Sequence, residues 1–251
     1  MEKFTIMNNF KHNIFFFWDK NTPDVYLKHV DNIRQMYRKY NVHLINDNWV
    51  IQYFTKKKDV EFLKIYKKIT LGAAKSDLVR FILMYEYGGL YLDIMNYPKE
   101  NLNMDELFAK LVNKSVYVGY LEPNYISFQV MLCKPKSSLI KQLYELCKKN
   151  LIEHYEKELV STSLVKYNLI LLTGPILFHD VVVSKKFDKW NTYLKCIENA
   201  TENLSYFEKW DCELVDCRKT FYLNVVGFDN HHGVNMNKHW SKQQLVTKLF
   251  A

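Results

Sequence analysis

One stretch, Ala73 to Asn96, constrains what the rest of the chain can fold into: AAKSDLVRFILMYEYGGLYLDIMN. Leu78, Phe81, Ile82 and Tyr85 recur at three- and four-residue spacing, which predicts an apolar helix. Asp77 and Arg80 stand one turn apart on it. Gly88 falls where a helix ends in a left-handed residue, and Gly89 lets the chain turn back sharply. Leu90-Tyr91-Leu92-Asp93 then reads as a strand, with Asp93 at or just past its carboxyl end. Open α/β sheets receive ligands at that edge. A surface ion pair on a buried helix would explain the apolar residues. It leaves unexplained a carboxylate aimed off the end of a strand, so Asp77, Arg80 and Asp93 form a candidate site.

The flanking sequence predicts an α/β fold with parallel strands. Asn13 to Trp18 (NIFFFW) is a continuous apolar run, as strands covered on both faces are. A helix with Leu27, Val30, Ile33, Met36 and Tyr37 on one face follows Thr22-Pro23-Asp24, then a second strand over Tyr40 to Asn46. His43 alternates with Val42 and Leu44, which makes it a structural strand residue. Asp47 or Asn48 can cap the next element, and the lysine-rich amphipathic residues 50–68 predict one outer helix. Beyond Pro98 come a short helix over 101–113, strands over 116–121 and 125–133, and a helix from Pro135 to about Glu158. Short strand-like pieces follow at 194–197, 214–217 and 221–226. The β-α-β-α order ahead of the central stretch points to a parallel sheet.

SD-x-x-R at residues 76–80, followed eight residues on by GG-x-Y-x-D at 88–93, resembles the DXD sugar-transferase family. That family includes initiating mannosyltransferases, capsular polysaccharide transferases and the glycosylating domains of clostridial toxins. The resemblance implies a GT-A-like nucleotide-sugar-binding fold, with a mainly parallel central sheet flanked by helices. It implies that Asp77 and Arg80 grip the donor sugar, that Asp93 meets the ribose and any metal, and that Trp18 is a platform for the base. Leu172-Thr173-Gly174-Pro175 resembles the family's TGP turn, whose role would be structural, and Ser127 or Gln129 stands near its acceptor side. Asp229 to Lys242 (DNHHGVNMNKHWSK) is similar to the family's closing segment, with His231 or His232 in the first role and His239-Trp240 where Ser-Trp usually stands. Trp240 then joins the donor contacts.

The chain departs from the family at one point that matters. Where Asp-x-Asp is usual, it has Asp93-Ile94-Met95. A thioether is a poor ligand for Mg²⁺ or Mn²⁺, which take oxygen. A divalent metal, Mn²⁺ or Mg²⁺, would then need Asp93 with His231, His232 and Asn237, or the enzyme would work with a weakly held metal or none.

Composition removes several other classes. At 251 residues the chain is expected to form one domain, with residues 13–100 as the nucleotide-sugar half and 101–251 as the acceptor side and closing segment. Five cysteines without a CxxC pair argue against a disulfide framework or a zinc site and favour a reducing compartment. The start lacks a signal peptide's apolar core, and no apolar run is long enough to cross a bilayer, so a cytoplasmic protein is expected. A net charge of +8 is compatible with nucleic acid, an anionic membrane surface or an anionic substrate. The lysines are dispersed and lack an arginine-aromatic stripe, which disfavours nucleic acid and leaves a peripheral membrane contact open. The expectation is a hexosyltransferase moving sugar, with retention, from a nucleotide diphosphate-sugar (UDP before GDP) to a glycan or lipid-linked saccharide of a bacterium or a large virus. A catalytically silent binding module and a toxin-like protein glycosyltransferase are the alternatives.

Overall fold

The structure, a computed structural model, describes residues 12–122, 125–182, 209–223 and 240–251. Strand β1 (Asn13–Phe17) is buried along its whole length, as its unbroken apolar sequence requires. Helix α1 (Asp24–Met36) carries the chain back, burying Tyr26, Val30 and Ile33, and β2 (Asn41–Ile45) pairs parallel with β1. His43 stacks on Phe15 and lies 3.4 Å from Asn13 Oδ1; burial lowers its pKa to about 4, so it is a neutral structural residue.

Residues 50–68 are not one helix. They form α2 (Asp47–Lys56) and α3 (Val60–Lys68), broken where Lys58 adopts a left-handed φ of 57°. A straight helix would carry its second apolar face away from the core, whereas the break lets Phe62 and Tyr66 of α3 pack against Phe54 of α2, burying Trp49, Val50 and Phe54 from one arm and Phe62 and Tyr66 from the other. The cap of α2 is Asn46 rather than Asp47 or Asn48: its side chain accepts from Trp49 N–H at 3.2 Å.

Helix α4 (Gly72–Tyr87) is the centre of the molecule. Leu78, Val79, Phe81, Ile82, Leu83 and Met84 are all buried, so both sides of the helix meet protein. It stops at Gly88, whose φ is 61°; a Cβ there would lie 2.5 Å from the backbone nitrogen of Pro135. Strand β3 (Gly89–Leu92) then runs parallel to β1.

The chain continues through β4 (Tyr97–Pro98), α5 (Met104–Ala109) with a 3-10 turn Lys110–Val112, β5 (Val116–Glu122), β6 (Tyr125–Cys133), α6 (Ser138–Val160), α7 (Leu169–Leu172), α8 (Ile176–Val182), β7 (Cys212–Asp216), β8 (Phe221–Tyr222) and a short helix Trp240–Gln243. Two sequence-based strands are thereby corrected: 214–217 moves to Cys212–Asp216, and the described part of 221–226 is only Phe221–Tyr222, held by pairing with β4. The expected strand at 194–197 lies outside the described residues.

The main sheet has the order β2-β1-β3-β6-β5-β7. Pairs β1–β2, β1–β3 and β5–β7 are parallel, and among the described strands of this sheet β6 alone runs the other way because it returns from β5 as a hairpin. Alternate residues of β1 feed opposite faces. Phe15 and Phe17 join α2, α3, α4, α6 and α8 in one core, while Ile14 and Phe16 join α1 and α5 in the other. The fold is thus α/β, with a mainly parallel sheet flanked by helices. Among the described residues, no helix is long and apolar enough to cross a membrane.

Candidate functional site

The central stretch brings its three charged residues together. Arg80 Nη1 donates to Asp77 Oδ1 at 2.7 Å and Nη2 to Asp93 Oδ1 at 2.8 Å. Asp77 reaches Arg80 because three helical residues make nearly one turn. Asp93 reaches it because β3, released by the double glycine, runs back alongside α4 and ends at the same height. The guanidinium also lies 4.7 Å from the centroid of the Tyr91 ring and 5.9 Å from that of Phe128.

Burying these charges costs several kcal/mol per ion unless geometry returns it. Arg80 has 4% of its side chain exposed, Asp77 15% and Asp93 30%, so the cluster opens to solvent on the Asp93 side. Two carboxylates share one guanidinium, which leaves the site with spare acceptor capacity. Burial pushes the Asp77 carboxyl up to about 6, against the opposing pull of Arg80 and of a hydroxyl from Thr173. Burial alone would lower the Arg80 pKa; Asp93, Tyr91 and Asp77 together raise it, so the guanidinium stays charged. Arg80 Nε is buried without a hydrogen-bond partner among the described residues.

Three supports were not evident in the sequence. Thr173 Oγ1 donates to Asp77 Oδ2 at 2.8 Å, so the turn, expected to position backbone near the donor pocket, also orients a site carboxylate through a side chain. Gly174 lets that turn close, since a Cβ would meet the Ile170 Cα at 2.9 Å. Gln129 acts through its main chain: its carbonyl accepts from Asp93 N–H at 2.9 Å and from Asn96 Nδ2 at 3.2 Å, fixing the loop after β3. Its Oε1 is buried and without a partner among the described residues, and buried Ser127 accepts from Gln129 N–H at 3.3 Å. The third support is Lys75, an ammonium only 4% exposed on α4, donating to Asp47 Oδ2 at 2.6 Å; Tyr66 donates to the other oxygen at 2.5 Å. A lysine inside an otherwise apolar helix turn, directly before Ser76-Asp77, was the available signal.

Trp18 follows β1 at the same carboxyl edge, anchored by its N–H to the Ile45 carbonyl at 3.0 Å. It is half-buried, and its ring centroid lies 4.7 Å from that of Tyr26. Met95 is half-buried too and packs against the apolar cluster on that side of the sheet. Trp240 opens the short helix Trp240–Gln243, and its side chain lies outside the described residues, as do His231, His232, Asn237 and His239.

The described residues do not fit a hard-cation site. Asp77 is committed to Arg80 and Thr173, one oxygen of Asp93 is held by Arg80, and Met95 offers only sulfur. Among the described residues, no group of three or more His, Cys, Asp or Glu is placed to hold a metal. The expected companions of Asp93, His231, His232 and Asn237, fall outside them. The described cysteines, Cys133, Cys147, Cys212 and Cys217, are buried and free.

Residues 23–111 match the family model described as the glycosyltransferase sugar-binding region containing a DXD motif. The matched stretch includes Asp77, Arg80 and Asp93 but not Trp18 or Thr173. Among solved structures, PaToxG glycosyltransferase is similar with a TM-score of 0.48 and 15% identity, over 83% of this chain and 82% of that one. No curated protein matches the sequence.

Proposed function

We propose, from the match of residues 23–111 to the sugar-binding region of DXD-containing glycosyltransferases, that this chain transfers a hexose from a nucleotide diphosphate-sugar to a hydroxyl of a glycan or lipid-linked saccharide. The observation that carries the reading is Arg80 bridging Asp77 and Asp93 at the open edge of a buried cluster. A sugar presents several hydroxyl donors and acceptors on a rigid ring. Two carboxylates fixed by one guanidinium meet such a ring with acceptors in set directions, and the Arg80 charge holds their geometry when water leaves.

In this reading Asp77 accepts from the donor sugar and Arg80 fixes its orientation, while Asp93, the most exposed of the three, faces the ribose. Trp18 keeps part of its ring open for the base, UDP-sugars being preferred to GDP-sugars, and Trp240 joins the donor contacts. The two halves, 13–100 and 101–251, work as one unit because β3 and β6 share the sheet. Transfer proceeds with retention, and the chain's own groups act by binding and positioning; none of the described residues is assigned as a catalytic base.

The test is release of nucleotide from a panel of UDP- and GDP-sugars, with acceptor present, first with Mn²⁺ and then with EDTA. Asp77→Asn is expected to abolish transfer while leaving nucleotide affinity within about twofold, since the base and ribose contacts remain. Nucleotide affinity falling as steeply as transfer would show that Asp77 does not meet the sugar. Met95 supports a second reading, a nucleotide-sugar-binding module without turnover. Binding of the nucleotide-sugar with no release, even with acceptor added, is the result that favours it.

A further inference from the structure

The carboxyl edge of the sheet carries an exposed apolar patch that the site does not use. Leu159 and Val160, at the end of α6, are 63% and 86% exposed, and Leu245 and Val246 are 65% and 78% exposed. The two pairs stand at one end of the molecule because residues 247–251 are pinned there. Leu249 and Phe250 N–H donate to the Glu158 carboxylate at 2.9 and 3.3 Å, Tyr167 donates to the Thr247 carbonyl at 3.0 Å, and Thr70 N–H to Leu249 at 2.8 Å. Thr70 leads directly into α4, whose first residue, Gly72, faces the Asp19 carboxylate just after β1. The patch therefore lies on the same edge of the fold as Trp18, Asp77 and Asp93.

Its charge is one-sided. Lys67, Lys68, Lys157, Lys166, Lys242 and Lys248 are all exposed on the segments that carry or flank it. Residues 240–251 contain no acid, and in 157–168 the only acid is Glu158, which is buried; the exposed acids of the neighbouring helices include Glu153 and Glu156, further back on α6, and Glu61, at the far end of α3. Leucine and valine tips standing out of a lysine rim, rather than lining a groove, suit a soft apolar layer beneath an anionic surface.

We infer that this edge docks on an anionic lipid bilayer, with Leu159, Val160, Leu245 and Val246 entering the headgroup boundary and the lysine rim meeting the phosphates. Docking is independent of the transfer reaction. Its consequence for acceptor choice rests on the proposed function: the site edge then faces the membrane, where a lipid-linked saccharide is presented.

The full chain is sedimented with vesicles of phosphatidylcholine alone and of phosphatidylcholine mixed with phosphatidylserine. Binding is expected only to the mixed vesicles and to weaken steeply with added salt. Exposed positions tolerate substitution, so the variant Leu245→Ser/Val246→Ser should remain folded and lose about tenfold or more in partitioning. Lys242→Glu/Lys248→Glu is expected to do the same. Lys56→Glu/Lys58→Glu, at the far end of α2 and in the break just after it, is the control for general basicity and should bind as the unaltered chain does. No binding to the mixed vesicles overturns the inference, as does equal loss in the control. Nucleotide release in solution, measured on the same variants, reads the transferase proposal separately: failure of docking with release intact leaves that proposal standing.

Discussion

Asp77 is held between opposing demands, and its protonation is where function and stability meet. Burial raises its pKa to about 6, while Arg80 and Thr173 pull toward the carboxylate that a sugar hydroxyl would donate to. The folded value lies above the ordinary carboxylate value, so the stabilising contribution is complete below about pH 4 and is lost as pH rises through about 6. Asp77→Asn is therefore expected to melt higher than the unaltered chain above pH 6, even as it loses transfer. A melting temperature lower at pH 8 than that of the unaltered chain would contradict this. Thr173→Val removes a hydrogen bond to the charged form, of the size that moves a pKa by about one unit or more. The acid limb of the transfer rate should then shift to higher pH by about that amount. A purely structural Thr173 would lower the rate equally at all pH values and leave the limb where it was. Thr173 was hidden in the sequence because its partner stands 96 positions away, and only the closure of the 173–175 turn against α4 brings them together.

At the scale of the element, the helix-turn-strand from α4 to β3 was legible because everything that defines it is local: apolar spacing, a left-handed glycine and a strand of four residues. Gly88 carries the turn twice over, by its φ of 61° and by the 2.5 Å that a Cβ would leave to the Pro135 backbone. Gly88→Ala is expected to destabilise the fold by about 2 kcal/mol or more, read as a lower denaturant midpoint with unchanged m value. An effect under half of that would mean that the turn relaxes freely. Residues 50–68 misled for the opposite reason. Each arm is amphipathic in itself, and the break falls among lysines, with Lys58 left-handed where no glycine, proline or asparagine announces it. Which way the chain turns there is decided by the core both arms join, and that is not a local property. The reversal of β6 was likewise beyond a reading of single elements, because a hairpin connection and a crossover give a strand the same apolar pattern.

Across the whole molecule, the same edge gathers the ends of β1, β2 and β3, the start of α4 and the end of α6. The cluster around Arg80 is rigid because α4 is buried on both sides, between the sheet and α6. The segment at 247–251 is held differently, by polar ties. Glu158 takes two backbone N–H groups there and a 3.0 Å contact from His154, with all of these atoms buried. Removing the carboxylate strands two buried donors, each worth about 1–3 kcal/mol. Glu158→Ala should therefore raise amide exchange at Leu249 and Phe250 by about a hundredfold, while amides within α4, such as that of Phe81, keep their protection. Parallel loss of protection in α4 would show that the tie belongs to the global core and not to a separable edge. Retained protection in α4 would mean that the candidate site and the lysine-rimmed patch share one edge of the fold but stand on supports of different strength, so that one can be loosened without the other.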